Sequence, residues 1–526
     1  MGFVPSKYQQ DIFNEIKNGK ESLIIYALAG ASKTTTIVKS LEYLPENLSI
    51  LFLAFNKSIA TELQERVPSH VQVRTLNALG HRAWLRHVGG KVQLNANKTW
   101  DILQNSPEYR AMLTQSEADL LEKVATRVRR MVALAKHQGI VPDGCQDAKG
   151  GILPDTMETW QELCSTYDVD LLDEEDQFDS VETKIKKENQ MLEVCVGLAR
   201  KCLLIGLEMW TEIDFDDQLY MTVAYRAKMD RHDIVMVDEA QDISSIQRKM
   251  LHGCVKLETG RLIGVGDKFQ AIYQWRGAST NSMDLLKNEF NCKEFPLSIT
   301  YRCPKSVVRE AQQFVPHFEA AETAPEGEVL RLGEYDPRRM TEVFQRGDMV
   351  ICRNNAPLVR CAFDLIRAGM AAKIMGRDIG SSLTGLVKKL RPKNFNDLAE
   401  KLAAWKDKEI AKALKKDPDA NLSSIEERYE CLLVFMEKSQ SGTIPGLNYE
   451  IEAMFDESKN PNQVTLCSVH KSKGLERDRV IFLNSHLIPS KYARKPEAIA
   501  AEWNIFYVGV TRAKKSLVYV NSPKKK

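Results

Sequence analysis

The chain has 526 residues, enough for three or four folded units at about 150 residues each. Apolar residues make up 43% and charged residues 27%, which excludes a disordered or collagen-like chain. Lys+Arg 73 against Asp+Glu 71 leaves a net charge of +2, so a polyanion site has to come from local clustering of basic side chains.

The 11 cysteines form no C-x-x-C pair and no Cys/His block at zinc spacing, so neither a disulfide framework nor structural zinc is expected. No stretch approaches the ~18 apolar residues of a membrane helix, and the N-terminus lacks the pattern of a secretory signal. A soluble protein of the reducing cytoplasm, with no membrane partner, is the expectation.

Residues 21–30 form an apolar β-type run ending in small residues, and Lys33-Thr34-Thr35-Thr36 then opens a helical stretch. A second strand is predicted from Leu48 to Phe55, followed by Asn56-Lys57 and a helix through Val67. Residues 89–204 are helix-patterned and rich in charge, with a basic face at Arg127, Arg129, Arg130 and Lys136 and an acidic stretch from Asp168 to Asp176. They read as a helical insertion into a first sheet core made of residues 1–88 and 205–290.

A third strand, Ile234 to Val237, stops at Asp238-Glu239, and a fourth, Arg261 to Val265, stops at Gly266-Asp267. Buried strands that end in small or polar residues and feed helices predict a parallel sheet with its site at the strand C-termini. A second α/β pattern covers residues 291–380 and 463–526, with strands at Met349 to Cys352, Val464 to Ser468, Val480 to Leu483 and Leu517 to Tyr519. A mainly helical segment, residues 381–462, interrupts it.

Three segments carry chemistry. Ala27-Leu28-Ala29-Gly30-Ala31-Ser32-Lys33-Thr34 supplies a small-residue turn, a lysine for phosphate and a hydroxyl for magnesium, the parts of a P-loop. Ala27 and Ser32 stand where that motif has glycines, and taken alone the segment is equally compatible with an ordinary turn. At Ser32 a Cβ is tolerated if φ is negative and strains the loop otherwise. Asp238-Glu239-Ala240-Gln241-Asp242 places one carboxylate to hold a metal and a second to act on water, although an acidic helix cap after a strand has the same look. Gly266-Asp267-Lys268-Phe269-Gln270-Ala271-Ile272-Tyr273-Gln274-Trp275-Arg276-Gly277-Ala278 sets aromatic rings beside arginine, suited to stacking bases, although in isolation such a cluster is more often core or interface.

These blocks stand in one order along nearly the whole chain. Tyr8-Gln9-Gln10 comes first, then the small-residue loop, Ala54-Phe55-Asn56-Lys57 with Glu62-Leu63, Thr75-Leu76-Asn77 and Asp214-Phe215-Asp216-Asp217. The Asp-Glu-Ala-Gln-Asp and Gly-Asp blocks follow, then Thr300-Tyr301-Arg302, Gly376-Arg377-Asp378, Val469-His470-Lys471-Ser472-Lys473-Gly474-Leu475-Glu476 and Tyr507-Val508-Gly509-Val510-Thr511-Arg512-Ala513. The order resembles that of the superfamily 1 DNA helicases of the UvrD/Rep/PcrA type.

That resemblance implies an α/β fold of two RecA-like P-loop NTPase cores, each with a parallel sheet and a mainly helical insertion, the second insertion reduced. It implies ATP and Mg2+ as ligands. Ala29, Gly30, Ala31, Ser32, Lys33, Thr34 and Thr35 would surround the phosphates, with Thr34 and Asp238 on the metal. Glu239 would act on the attacking water and Gln270 would sense the γ-phosphate, while Arg302 and Arg512 would serve as arginine fingers. Gln9 and Tyr301 would contact the adenine and Glu476 the ribose, and Phe55, Asn56, Thr75, Trp275, Arg276 and His470 would lie along single-stranded DNA. Thr35 stands where close relatives often carry an arginine on the adenine, and no appended nuclease is expected after Ala513.

The activity so implied is an ATP-dependent helicase or translocase on single-stranded or tailed duplex DNA, of 3′ to 5′ polarity, with an accessory protein as a potential stimulator. A nucleotide-gated single-strand binder or recruitment protein, its turnover weakened by Ser32, is the alternative, and an RNA substrate stays open.

Overall fold

The computed structural model describes residues 3–167, 169, 171, 181–272, 281–414, 422–455, 462–494 and 496–523. The chain divides into two compact units, residues 1–27 with 32–297 and residues 28–31 with 298–526. The acidic stretch from Asp168 to Asp176, apart from Val169 and Leu171, lies outside the described residues, as do Trp275 and Arg276.

The first unit is built on six strands: β1 (Leu23–Ala27), β2 (Ile50–Leu53), β3 (Gln72–Arg74), β4 (Ile234–Val237), β5 (Arg261–Gly266) and β6 (Lys293–Leu297). They lie in the order β3-β2-β4-β5-β1-β6, every pair parallel, with Ile50 opposite Ile234 and Leu23 opposite Ile263. Runs such as Ile-Leu-Phe-Leu and Ile-Val-Met-Val are buried at every position, as expected of strands covered on both faces. Because all six strands run the same way, their C-terminal ends share one edge. The loops after β1, β2, β3, β4 and β5 therefore bring Lys33, Asn56, Thr75, Asp238 and Asp267 to that edge.

Helices Lys98–Asn105, Pro107–Ala111, Gln115–Gln138, Met157–Thr166 and Val181–Glu208 lie between β3 and β4 in the chain. The last of them runs through the boundary expected at residue 204, because its apolar stripe (Leu192, Cys195, Val196, Ala199, Cys202, Leu203) continues to Leu207. These helices share one hydrophobic core with the sheet, including Trp84, Tyr109, Trp160 and Tyr220.

Lys136 does not join the exposed basic face expected with Arg127, Arg129 and Arg130. It is buried, with its ammonium 2.6 Å from Asp214 and 2.7 Å from Asp217, while the buried Lys98 lies 2.7 Å from Asp217. Two cations thus face two anions without solvent. Burial pushes the Lys98 ammonium down, while for Lys136 the two carboxylates outweigh burial and hold it up. Burial acts against Asp217 too, but both lysines keep its carboxyl below the usual range. Charge periodicity on a helix cannot tell a solvated face from one met by carboxylates of another element.

The second unit has its own sheet: β7 (Glu328–Glu334), β8 (Met349–Cys352), β9 (Ala372–Ile374), β10 (Val464–Ser468), β11 (Arg477–Leu483) and β12 (Ala513–Asn521). Its order is β7-β12-β11-β8-β10-β9, again parallel throughout. Helices Arg377–Leu390, Phe395–Leu414, Ser423–Lys438 and Ile444–Met454 separate β9 from β10 in the chain, the first spanning the boundary expected at residue 380. A separate hydrophobic core joins them to this sheet through residues such as Leu398, Phe435 and Phe455.

Among the described residues no helix is long and apolar enough to cross a membrane, and no group of three or more His, Cys, Asp or Glu side chains is arranged to hold a metal ion. All 11 cysteines are free thiols.

Candidate functional site

In the first unit the helix Lys33–Ser40 begins directly after the small-residue loop. Its N-cap, Ser32, has φ 60° and ψ 38°, the left-handed region that costs a residue with a Cβ about 1–2 kcal/mol. The strain is met from behind. The Thr36 hydroxyl donates to the Ser32 carbonyl at 2.9 Å, and since it has one proton it can only accept from the Gln9 amide, also at 2.9 Å. Gln9 is buried and its Oε1 takes the Ser6 N–H at 2.9 Å, so both ends of its amide brace this loop.

Gly30, grouped with the second unit, has φ 69°. A Cβ there would sit 2.5 Å from Thr300 Oγ1 and from Arg302 Cβ within that same unit, which leaves glycine as the residue that fits. The Ala29 N–H donates to the Tyr507 hydroxyl at 3.0 Å, likewise within the second unit.

β4 delivers the carboxylates. The Thr34 hydroxyl donates to Asp238 at 2.9 Å, and Asp238 accepts the Glu239 N–H at 2.9 Å. Burial, reinforced by the adjacent Glu239 charge and opposed by Lys33, pushes the Asp238 carboxyl up to about 6. A buried carboxylate and a hydroxyl in contact, with a lysine nearby, form a hard oxygen donor set of the kind that suits Mg2+ with a polyphosphate. Glu239 is half-buried and holds φ 53°, so of the seven non-glycine residues with positive φ among the described residues, two, Ser32 and Glu239, stand on the loops that follow β1 and β4. At the end of β5, the Gln270 amide donates to Asp267 at 2.7 Å, both residues buried.

Along the same sheet edge, Asn56 caps the helix Lys57–Arg66 by accepting the Ile59 N–H, and Thr75 caps the helix Leu76–Val88 by accepting the Ala78 N–H. Both keep a structural task besides any they have toward a ligand. Phe55 is 43% exposed. Phe215 is 55% exposed; its block stands in the ordered series read from the sequence, but no ligand role was assigned to it, and its carbonyl accepts from the Asn77 amide at 3.0 Å. A phenylalanine between three aspartates with no apolar alternation around it was the available signal.

In the second unit, Arg302 Nε lies 2.6 Å from a Glu476 carboxylate oxygen, close enough for an ion pair although the pair lacks hydrogen-bond alignment. Tyr301 is 48% exposed. Arg512 is buried and donates to the carbonyls of Val508 and Leu475 and to the Thr511 hydroxyl. The half-buried His470 follows β10. Burial and the nearby Arg353 guanidinium lower it to about 4, so it is neutral at pH 7. Arg353, at the end of β8, pairs bidentately with Glu502 at 2.7 and 3.0 Å. Neither was anticipated, because an Arg and a Glu 149 positions apart carry no local pattern.

A family model described as the UvrD/REP helicase N-terminal domain matches residues 8–291, and one described as the UvrD-like helicase C-terminal domain matches residues 156–522. The chain belongs to the UvrD-like helicase family. Among its relatives, DNA helicase II of Escherichia coli (strain K12) is 24% identical over 319 residues, 56% of this chain and 38% of the relative. The F-box DNA helicase protein 1 of Schizosaccharomyces pombe is 23% identical over 542 residues, 95% of this chain and 56% of the relative. ATP-dependent DNA helicase UvrD2 of Mycobacterium bovis is 25% identical over 374 residues, 58% of this chain and 50% of the relative. This UvrD-like chain therefore spans between about two fifths and rather more than half of those relatives' length.

Proposed function

We propose that this UvrD-like chain hydrolyses ATP and uses the cycle to move along single-stranded DNA, opening tailed duplexes with 3′ to 5′ polarity. The observation that carries the reading is the contact of the Thr34 hydroxyl with Asp238, beside Lys33 and Glu239. A P-loop hydroxyl against a strand-tip carboxylate is suited to a magnesium nucleotide, and an adjacent second carboxylate is suited to act on water.

Lys33 neutralises phosphate charge, and Thr34 with Asp238 would hold Mg2+, which when bound screens the phosphates. Glu239 takes a proton from the attacking water as the bond from the γ-phosphorus to its bridging oxygen breaks, the electron pair leaving with ADP. Gln270 senses the γ-phosphate. Arg302, Arg512, Tyr301 and Glu476 are assigned finger, adenine and ribose roles through the family order. Gln9 is better read as the brace of the strained loop than as a reader of the base, since both ends of its buried amide are engaged.

For the strand, exposed Phe55 and Phe215 offer stacking surfaces, each suited to about 1–3 kcal/mol per base. Asn56, Thr75, Trp275, Arg276 and His470 are proposed along the same strand, and the relatives' names, all of DNA helicases, favour DNA over RNA.

The strain at Ser32 favours the alternative of a gated binder with weak turnover. ATP hydrolysis with and without oligo(dT), measured beside Lys33→Ala and Glu239→Gln, separates the two. Strong stimulation by DNA that both substitutions abolish supports the motor; nucleotide-dependent DNA binding without turnover supports the gated binder.

A further inference from the structure

Gln241 is 2% exposed and both ends of its side chain are engaged. Its Oε1 accepts the main-chain N–H of Asp267 at 3.0 Å, and its Nε2 donates to the Glu239 carboxylate, with Asp242 at 3.5 Å. The orientation of the amide follows from its partners, because a main-chain N–H can only donate and a carboxylate can only accept. Asp267, fully buried, uses its side chain in the other direction: one oxygen takes the Phe269 N–H at 3.0 Å and the other the Gln270 amide at 2.7 Å.

Gly266 makes this approach possible. A Cβ at that position would lie 2.4 Å from Gln241 Oε1 and 3.0 Å from the Gln241 nitrogen, so the strand end is shaped to admit the glutamine. Glu239, whose backbone is in the left-handed region, has its carboxylate held from the side by this amide.

We infer that Gln241 and Asp267 are positioning residues that join Gln270 to Glu239 in one hydrogen-bonded relay, so that engagement of Gln270 by a ligand resets the aim of the Glu239 carboxylate. The inference rests on the roles given to Glu239 and Gln270 above. A single residue, Asp267, holds one end of the relay by its main chain and the other by its side chain, so any shift of Asp267 as the Gln270 amide leaves it is passed to the N–H that Gln241 accepts. In a buried network with every member paired, losing one bond weakens its neighbours.

The test uses the full chain with Gln241→Met, which keeps length and volume without hydrogen bonds, together with Gln270→Ala, the double variant and Gln241→Glu. Gln241→Met is expected to lower DNA-stimulated kcat about 10- to 100-fold while KM for ATP and the thermal midpoint stay near wild type. The double variant is expected to be no worse than the weaker single. Gln241→Glu, by setting a like charge beside Glu239, is expected to move the rising limb of the pH–kcat profile upward. Penalties that multiply, or an unchanged kcat in Gln241→Met, overturn the relay.

A second arm does not depend on turnover. In the chain labelled with 15N-glutamine, Gln270→Ala is expected to shift the Gln241 side-chain amide resonance, and an unmoved resonance overturns the relay. A shift on Gln270→Ala together with no DNA-stimulated hydrolysis in the wild type overturns the motor reading and leaves the relay standing.

Discussion

The Thr34 hydroxyl donates to a carboxylate oxygen of Asp238 across 2.9 Å, joining the first turn of one helix to the tip of a strand 204 positions later in the chain. Both groups are hard oxygen donors suited to Mg2+. Thr34→Ala or Asp238→Asn is therefore expected to raise the Mg2+ concentration needed for half-maximal ATPase at least ~10-fold and to lower kcat ~100-fold or more. A magnesium titration of hydrolysis, with a fluorescent nucleotide as the binding readout, checks both. Unchanged magnesium dependence in Asp238→Asn would remove that residue from the metal site.

Ser32 offers a prediction of the opposite sign. Its φ of 60° is accessible to glycine at no steric cost, and no side-chain hydrogen bond at this cap would be lost. Ser32→Gly is expected to stabilise the protein by up to about 1 kcal/mol, the strain relieved being partly offset by the greater freedom of glycine in the unfolded chain. ATPase is expected to be equal or faster. A lower thermal midpoint, or a large loss of turnover, would show that the strained serine contributes something its geometry does not reveal.

The buried four-charge cluster of Lys98, Lys136, Asp214 and Asp217 predicts a large stability effect. Removing one partner leaves a buried charge without compensation, at about 3–5 kcal/mol. Lys136→Met and Asp217→Asn should each lower the unfolding midpoint in urea and speed hydrogen exchange in the helix Gln115–Gln138. The paired replacement Lys136→Met with Asp214→Leu is expected to cost less than the sum of the two single changes, which a double-mutant cycle measures.

The parts of the site that were legible share a cause. Asp238 and Asp267 follow largely apolar strand runs that stop abruptly, so strand ends, sheet edge and polar residue could be read together from one local pattern. The two parallel sheets follow from the same logic. What was not legible depends on partners distant in the chain: Lys136 sits on a helix whose face is met by aspartates 78 and 81 positions away, and Arg353 is fixed by Glu502. Gln241 was visible as part of a block but not as a bridge, because its approach to Asp267 requires the space left at Gly266. Helix ends at residues 208 and 377 overran the expected boundaries since a change in composition does not mark where a helix stops.

His470 gives a pH dependence whose sign can be worked out. Burial first, and then the Arg353 guanidinium, hold the imidazole at about 4 in the folded protein against an ordinary value of about 6.5. The unfolded chain therefore takes up a proton between pH 6.5 and 4 that the folded chain refuses. The contribution of His470 to stability is fully present above about pH 6.5 and is lost as pH falls toward 4. Asp348, pushed up to about 6 by burial, acts in the opposite sense, since its folded form is favoured when protonated and stability is lost as pH rises from about 4 to 6. The two partly cancel in the wild type, so the informative quantity is a difference. Unfolding midpoints of wild type and His470→Gln are expected to diverge least near pH 4 and most above pH 6.5, with the wild type gaining relative to the variant as pH rises. A constant offset across that range would show that the imidazole does not titrate differently in the two states.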